Sequence, residues 1–255
     1  MSTTVEAPPP RANPLLVGQE AGEAALLGAW RSGRLPHAWL ITGPRGVGKA
    51  TLAYRFARFV LAGGPHEGLV LPETHPVFRR VASGGHPDFR AVRREIDPRR
   101  EKLRTEIIVD QVRALGAFLR LTPAESDWRV VVIDSADELN PNAANALLKV
   151  LEEPPARALL LLVAHAPGRL LPTIRSRCRR LGLMPLSEPV MRRLLSLYAP
   201  GLGENERATI ARLADGSIGR ALDLAAGDGV AIHTRLTALL NSLPDTDVAA
   251  LHTMG

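Results

Sequence analysis

The chain has 255 residues, 45% of them apolar, which is enough for a sizeable core or two small domains. No stretch of 18 residues is free of polar or charged side chains, so no membrane-spanning helix is expected. A single cysteine, Cys178, excludes an internal disulfide and any zinc site built from several thiolates, and suits a reducing cytoplasm. The formal charge of +6, carried almost wholly by arginine, favours work near polyanions such as DNA or nucleotides.

The start, MSTTVEAPPPRANP, has no apolar central segment and does not read as a secretory signal. Its prolines and small polar residues predict a disordered leader over 1–12, because they bury too little surface to offset ordering. The first strand is AWLIT at 38–42, followed by GPRGVGKA at 43–50 and a helical pattern, TLAYRFARFVL. Strand, GxxxxGK and helix in that order are the signature of a phosphate-binding loop. Gly43, Gly46 and Gly48 let the backbone turn and aim N–H groups at phosphate oxygens. Lys49 supplies a cation for the terminal phosphates, and the helix beginning near Ala50 adds its positive end. The plain alternative is a glycine turn between strand and helix. The last position of the motif normally carries a hydroxyl that places an oxygen on magnesium, and Ala50 has none. Thr51 is adjacent, but one step along a helix rotates the side chain by about 100°, which turns it from the metal.

Residues 62–104 show little periodicity. His66, His75 and His86 fall there without the spacing or company of metal ligands, and read as solvated loop histidines. Segment 90–104 holds seven basic and three acidic side chains. It reads either as a contact for DNA phosphates or a partner's acidic face, or as a solvated loop, the latter favoured by the lack of interleaved aromatics.

VDQVRALGAFLRLTP places Val112, Leu115 and Leu119 on one helix face and stops at Pro123. The strand RVVVID at 129–134 ends in Asp134, the acidic residue that a neighbouring strand contributes to such a nucleotide site. Ser135 follows and cannot act as a base at neutral pH. Asp137 and Glu138 lie too far along the turn to be assumed replacements. Asn140-Pro141 reads as an N-cap with proline at the first helical position, and Ala144, Leu147, Leu148 and Leu151 form a stripe ending before Pro154-Pro155. ALLLLVA at 158–164 is the third clear strand. Short, nearly continuous apolar strands alternating with helices predict an α/β fold with a parallel sheet flanked by helices.

Cys178 reads as a small interior side chain. After residue 185 the strands disappear. SEPVMRRLLSLYAP, NERATIARLADGS and IGRALDLAA read as three helices, and AIHTRLTALLNSLP begins a further helical element.

NPLLVGQEAGEAAL, SGRLPHAWLITGPRGVGKATLA, HPDF, IIVDQVRAL, LTPAESDWRVVVIDSADELNPNAANALLKVLEEPP and LLPTIRSRCRRL together resemble bacterial clamp-loader subunits of the AAA+ class. Among them the delta-prime family of DNA polymerase III is the nearest in pattern. The likeness covers roughly 13–225 in one consistent order. It implies an AAA+ P-loop domain over 13–184, a three-helix lid over 185–228, and the start of an incomplete helical collar over 229–255. Relatives continue through a full collar, so a fragment, or a ring assembled differently, is expected. Relatives also often carry a four-cysteine zinc module, which a single thiol cannot build, so no zinc is expected.

The resemblance implies a ring of subunits that opens the sliding clamp and places it on primed DNA. Its motor members carry glutamate after the acid of the second motif, where this chain has Ser135. They carry a polar phosphate sensor after the third strand, where His165 or Ala166 stands, and a lid arginine, where GSIGR puts Gly219 with Arg220 one step later. With Ala50, these departures imply a subunit that does not hydrolyse ATP and binds ATP or ADP weakly or not at all, through Gly43, Gly46, Gly48, Lys49, Ala50, Thr51 and Asp134. Arg177 in IRSRC is intact and matches the arginine that reaches into a neighbour's ATP site. The alternative for Arg177 is simple solvation of a helix end. Expected partners are the motor ATPase and delta subunits, and primed DNA through the assembled loader, in the cytoplasm and without a membrane. Two rival readings stay open: an active AAA+ motor paralogue, and a basic DNA-binding protein on a reused P-loop fold.

Overall fold

The computed structural model describes residues 7–64, 67–97, 101–227 and 229–241. In chain order the elements are α1 (Glu20–Arg31), β1 (Ala38–Thr42), α2 (Lys49–Leu61), α3 (Pro76–Ser83), β2 (Phe89–Val92), β3 (Ile96–Asp97), β4 (Lys102–Leu103), α4 (Val109–Leu119), β5 (Arg129–Ile133), α5 (Pro141–Glu152), β6 (Ala158–Ala164), α6 (Pro172–Arg177), β7 (Arg179–Gly182), α7 (Glu188–Tyr198), α8 (Glu204–Leu213), α9 (Ile218–Ala226) and α10 (Gly229–Asn241). They form two compact units, one over Ala7–Pro185 and one from Leu186 onward.

The first unit is built on a five-stranded sheet in the order β2-β5-β6-β1-β7, with every neighbouring pair parallel. The three strands legible as apolar runs, β1, β5 and β6, are the three inner ones, because only an inner strand is covered on both faces. The edges escaped the sequence reading. β2 buries only its two ends, and β7 is two arginines, a leucine and a glycine, mostly exposed. An antiparallel ladder of β3 and β4 pairs Ile96 with Leu103.

One face of the sheet packs against a core drawn from α1, α2 and α3, including Leu26, Leu52, Phe56 and Val81. The other face packs against α4, α5 and α6 through Val112, Leu115, Leu147, Leu151 and Ile174. Asn140 caps α5 as its sequence suggests, with Oδ1 accepting the Ala143 N–H at 2.9 Å. α4 ends at Leu119, short of Pro123, and the carbonyls of Leu121 and Thr122 beyond it accept from the buried Arg129 guanidinium.

Every residue of α2 except Ala50 is buried. Two of these are arginines, so their donors must be satisfied inside the fold. Arg58 donates to the carbonyls of Arg11 at 3.0 Å and Asn13 at 2.9 Å, and stacks over the Phe78 ring at 4.2 Å. Arg55 pairs with Glu23 at 2.7 Å and donates to the Pro14 carbonyl. Residues 7–12, assigned from composition to a disordered leader, therefore include a short helical turn, Pro10–Ala12, packed on α2 and α3. The composition argument missed it because the stabilising donors lie more than forty residues downstream.

His75 and His86 also differ from the solvated reading. His75 caps α3, its Nδ1 accepting the Val77 N–H at 3.2 Å. His86 is 1% exposed, and its Nδ1 accepts the Asp88 N–H at 3.1 Å. His66 lies outside the described residues. The second unit packs α7, α8 and α9 around Met191, Leu195, Ile210 and Ala221, followed by α10. The expected collar beyond residue 241 lies outside the described residues. Among the described residues no helix is long and apolar enough to cross a membrane.

Candidate functional site

The register sets Thr42 opposite both Ala164 and Gly182, and Ile133 opposite Leu162. The loops leaving β1, β5 and β6 therefore open side by side at the carboxyl edge of the sheet, where ligands of open α/β sheets bind. The sheet thus brings together Gly43, Asp134 and His165.

Gly43, Gly46 and Gly48 all have positive φ, at 142°, 79° and 99°. At Gly43 a Cβ would also meet the Leu183 carbonyl oxygen at 2.4 Å, so this turn admits no side chain. Lys49 opens α2 and is 3% exposed. Its ammonium donates to the carbonyls of Gly43 at 2.8 Å and Pro44 at 2.5 Å. Burial pulls its pKa down to about 8, against the pull of Asp137 and Asp134, and Arg45 lowers it further. Ala50 is half-exposed and Thr51 is buried.

On the neighbouring strands, Asp134 follows β5, and its backbone N–H donates to the Val92 carbonyl at 2.8 Å. Burial raises its carboxyl above the ordinary value, opposed by Arg93, Lys49 and Arg45. Ser135 sits in the left-handed region at φ 64°, and its Oγ lies 3.2 Å from His165 Nε2. Burial holds His165 below its ordinary pKa, helped by Lys49 and Arg45 and opposed by Asp137. Asp137 accepts the N–H groups of His165 at 3.1 Å and Ala166 at 2.8 Å, one on each oxygen. Glu138 pairs with Arg94 at 2.8 Å. The two acids of this turn are thus spent on structure, Asp137 on the end of β6 and Glu138 on the segment after β2.

Magnesium demands a near-octahedral set of oxygens. Here position 50 offers none, the Ser135 hydroxyl is engaged by an imidazole, and both Asp137 oxygens hold backbone N–H groups. Asp134 is left, within the electrostatic influence of Arg93, Lys49 and Arg45. These residues do not fit a magnesium seat. Among the described residues no three His, Cys, Asp or Glu gather to hold any metal ion.

Arg177 ends α6, away from this edge in sequence and in element. Its Nη2 lies 2.9 Å from Glu152 Oε1 and its Nη1 donates to the Thr173 carbonyl at 3.0 Å. Ile174 and Cys178 on either side are buried and fix the helix end. The Glu152 partnership had no signal in the sequence, since 25 positions separate the two residues. Arg45, whose charge adds a small effect on Lys49, Asp134 and His165, was also missed, because it stands at a variable position of the loop motif. In the second unit Gly219 is half-buried on α9, and Arg220 is exposed with its backbone N–H on Ser217 Oγ at 3.1 Å. Of segment 90–104, Arg90 stacks on Phe118 at 4.8 Å, Arg94 pairs with Glu138, and Arg104 pairs with Asp97 at 3.4 Å.

Residues 18–187 match the family model described as DNA polymerase III, delta subunit. The chain belongs to that family. It is 42% identical over 142 residues to the DNA polymerase III subunit delta' of Pseudomonas aeruginosa, covering 56% of this chain and 41% of that protein. It is 34% identical over 248 residues to the DNA polymerase III subunit tau of Salmonella typhimurium, covering 92% of this chain and 37% of that protein. The chain therefore spans about two-fifths of the length of these relatives. A DNA polymerase III gamma subunit-related protein from Thermotoga maritima superposes with a TM-score of 0.53 at 22% identity, covering 84% of this chain and 62% of the other. That likeness establishes the fold, an α/β architecture with a parallel sheet flanked by helices.

Proposed function

We propose that this chain is a delta-prime-like subunit of the DNA polymerase III clamp loader that does not hydrolyse ATP. It works in the cytoplasm with motor ATPase and delta subunits, helps place the sliding clamp on primed DNA, and lends Arg177 to the ATP site of a neighbouring subunit. The observation that carries the reading is the occupation of the turn after β5. Ser135 stands where a motor carries its base and is tied to His165, while the nearby Asp137 is tied to the end of β6. With Glu138 paired to Arg94, neither acid that follows Ser135 in this turn is placed to take a proton from water, which supports the reading. Arg177, by contrast, is always charged, partly exposed and able to grip phosphate oxygens with two donors.

The test is a reconstituted loader with Arg177→Ala. ATP hydrolysis by the ring should fall while this chain's thermal unfolding is unchanged; normal hydrolysis and clamp loading defeat the finger. A second reading, an active motor, draws on the similarity to tau over 92% of the chain. It requires DNA-stimulated turnover by the chain alone, which the proposed function forbids.

A further inference from the structure

Where α4 packs on α5 the two helices leave a groove of about 740 Å³, lined by α4, its cap Arg120 and α5. Its lining residues fall at 109, 112, 113, 116, 117 and 120 on one side, the repeat of a single helix face. On the other side they fall at 142, 145, 146, 149 and 150, again one face. We infer that this groove is a docking site for an acidic amphipathic helix of a partner protein.

The floor sets the first requirement on the ligand. Val112 is buried, and a Cβ added at Gly116 would come within 3.7 Å of Val150 Cγ2. Ala117 and Ala146 add two more short side chains, so the floor is apolar and stays open for want of bulk. From Val109 to Arg120 the groove extends roughly 16 Å at 1.5 Å per residue, three turns of a docked helix. An amphipathic helix fills such a groove with apolar side chains at i, i+3, i+4 and i+7.

The rims set the second. Arg113 and Arg120 stand on the α4 side and Lys149 on the α5 side, all three exposed, and among the described residues no carboxylate lines the groove. Arg120 and Lys149 are in no ion pair among the described residues. Arg113 has only Asp110 at 3.7 Å, with both side chains more than 70% exposed and the pair screened by water. Cations on both rims call for carboxylates along both edges of the ligand. Nucleic acid answers the rims alone. Its phosphates gain nothing from the valines and alanines of the floor, and no aromatic side chain lines the groove for bases to stack on. An acidic amphipathic helix answers floor and rims together.

The experiment is fluorescence anisotropy of the 255-residue chain with a labelled, stapled helical peptide of about 15 residues, leucines along one face and glutamates on either side of them. The comparison probes are the same peptide with lysine for every glutamate, and a short duplex DNA. The variants are Gly116→Leu, which fills the floor, and Lys149→Glu, which reverses a rim. A Cβ at 116 makes an ordinary contact and Lys149 is exposed, so both should unfold at the natural temperature. The glutamate peptide should bind saturably, the lysine peptide should not, and each variant should weaken binding about tenfold or more. No binding of the glutamate peptide, equal binding of the lysine peptide, or binding that either variant leaves unchanged overturns the inference. Duplex DNA that displaces the peptide, and that binds Gly116→Leu as tightly as the natural chain, gives the rims to phosphates and overturns it too. None of these outcomes touches the role of Arg177, which is read from hydrolysis by the ring.

Discussion

Arg177 and Glu152 close α6 onto the end of α5 through an ion pair of 2.9 Å. Their side chains are 36% and 48% exposed, so the pair contributes only about 0–1 kcal/mol and can be exchanged cheaply for a phosphate. Glu152→Gln should therefore change urea stability by less than ~1 kcal/mol and leave ring hydrolysis intact. Arg177→Ala should lower ring hydrolysis at least tenfold, on a scale where fingers supplied in trans reach ~10³–10⁵ in GTPases. Arg177→Lys should not restore it, because an ammonium lacks the planar two-donor fork. Steady-state hydrolysis by reconstituted rings measures all three.

Asp88 should govern acid stability. It is fully buried and accepts N–H groups from Ala124, Glu125 and Ser126 at 2.7, 2.8 and 2.9 Å, with Arg129 at 3.7 Å. Burial alone would raise its carboxyl, but these donors outweigh it and hold the group below the ordinary 3.8. A carboxyl with a depressed folded pKa stabilises the fold fully above its unfolded value. That stabilisation drains as pH falls below about 5 towards the folded value. Asp88→Ala should cost about 3–5 kcal/mol in urea at neutral pH by stranding a buried cation and three N–H groups. It should also flatten the loss of stability between pH 5 and 3. A variant as acid-sensitive as the natural chain contradicts this assignment.

Cys178 should be inert in the folded chain. It is 8% exposed, and burial pushes its thiol up to about 12. Thiolate is the reactive form, so a disulfide reagent at pH 8 should label Cys178 only at the rate of unfolding, and stoichiometrically in denaturant. Rapid labelling of native protein would show that the end of α6 opens readily.

Restoring the two missing motor residues should not restore a motor. Ala50→Ser with Ser135→Glu adds a hydroxyl and a carboxylate, but it breaks the contact with His165 and leaves Asp137 bound to the β6 end. Phosphate release by the double variant should stay at background.

The inner strands and the loop were legible because β1, β5 and β6 are buried on both faces and GPRGVGKA needs its glycines locally. Asn140-Pro141 was legible for the same reason, a cap made within three residues. What escaped depends on distant partners. β2 and β7 are strands only because β5 and β1 lie beside them. The turn at Pro10–Ala12 is held by Arg58 from α2, and His86 is buried beside Asp88, whose carboxylate is held by a loop 36 residues away. In the site, the losses at Ala50 and Ser135 were visible residue by residue. The engagement of Ser135 by His165, and of Arg177 by Glu152, appears only when separate elements meet.

Phosphate release from ATP by the purified chain, free of contaminating motor subunits and assayed with and without primed DNA, tests the central claim most directly. The account predicts none above background under either condition. Steady, DNA-stimulated release that disappears in Lys49→Ala would contradict it.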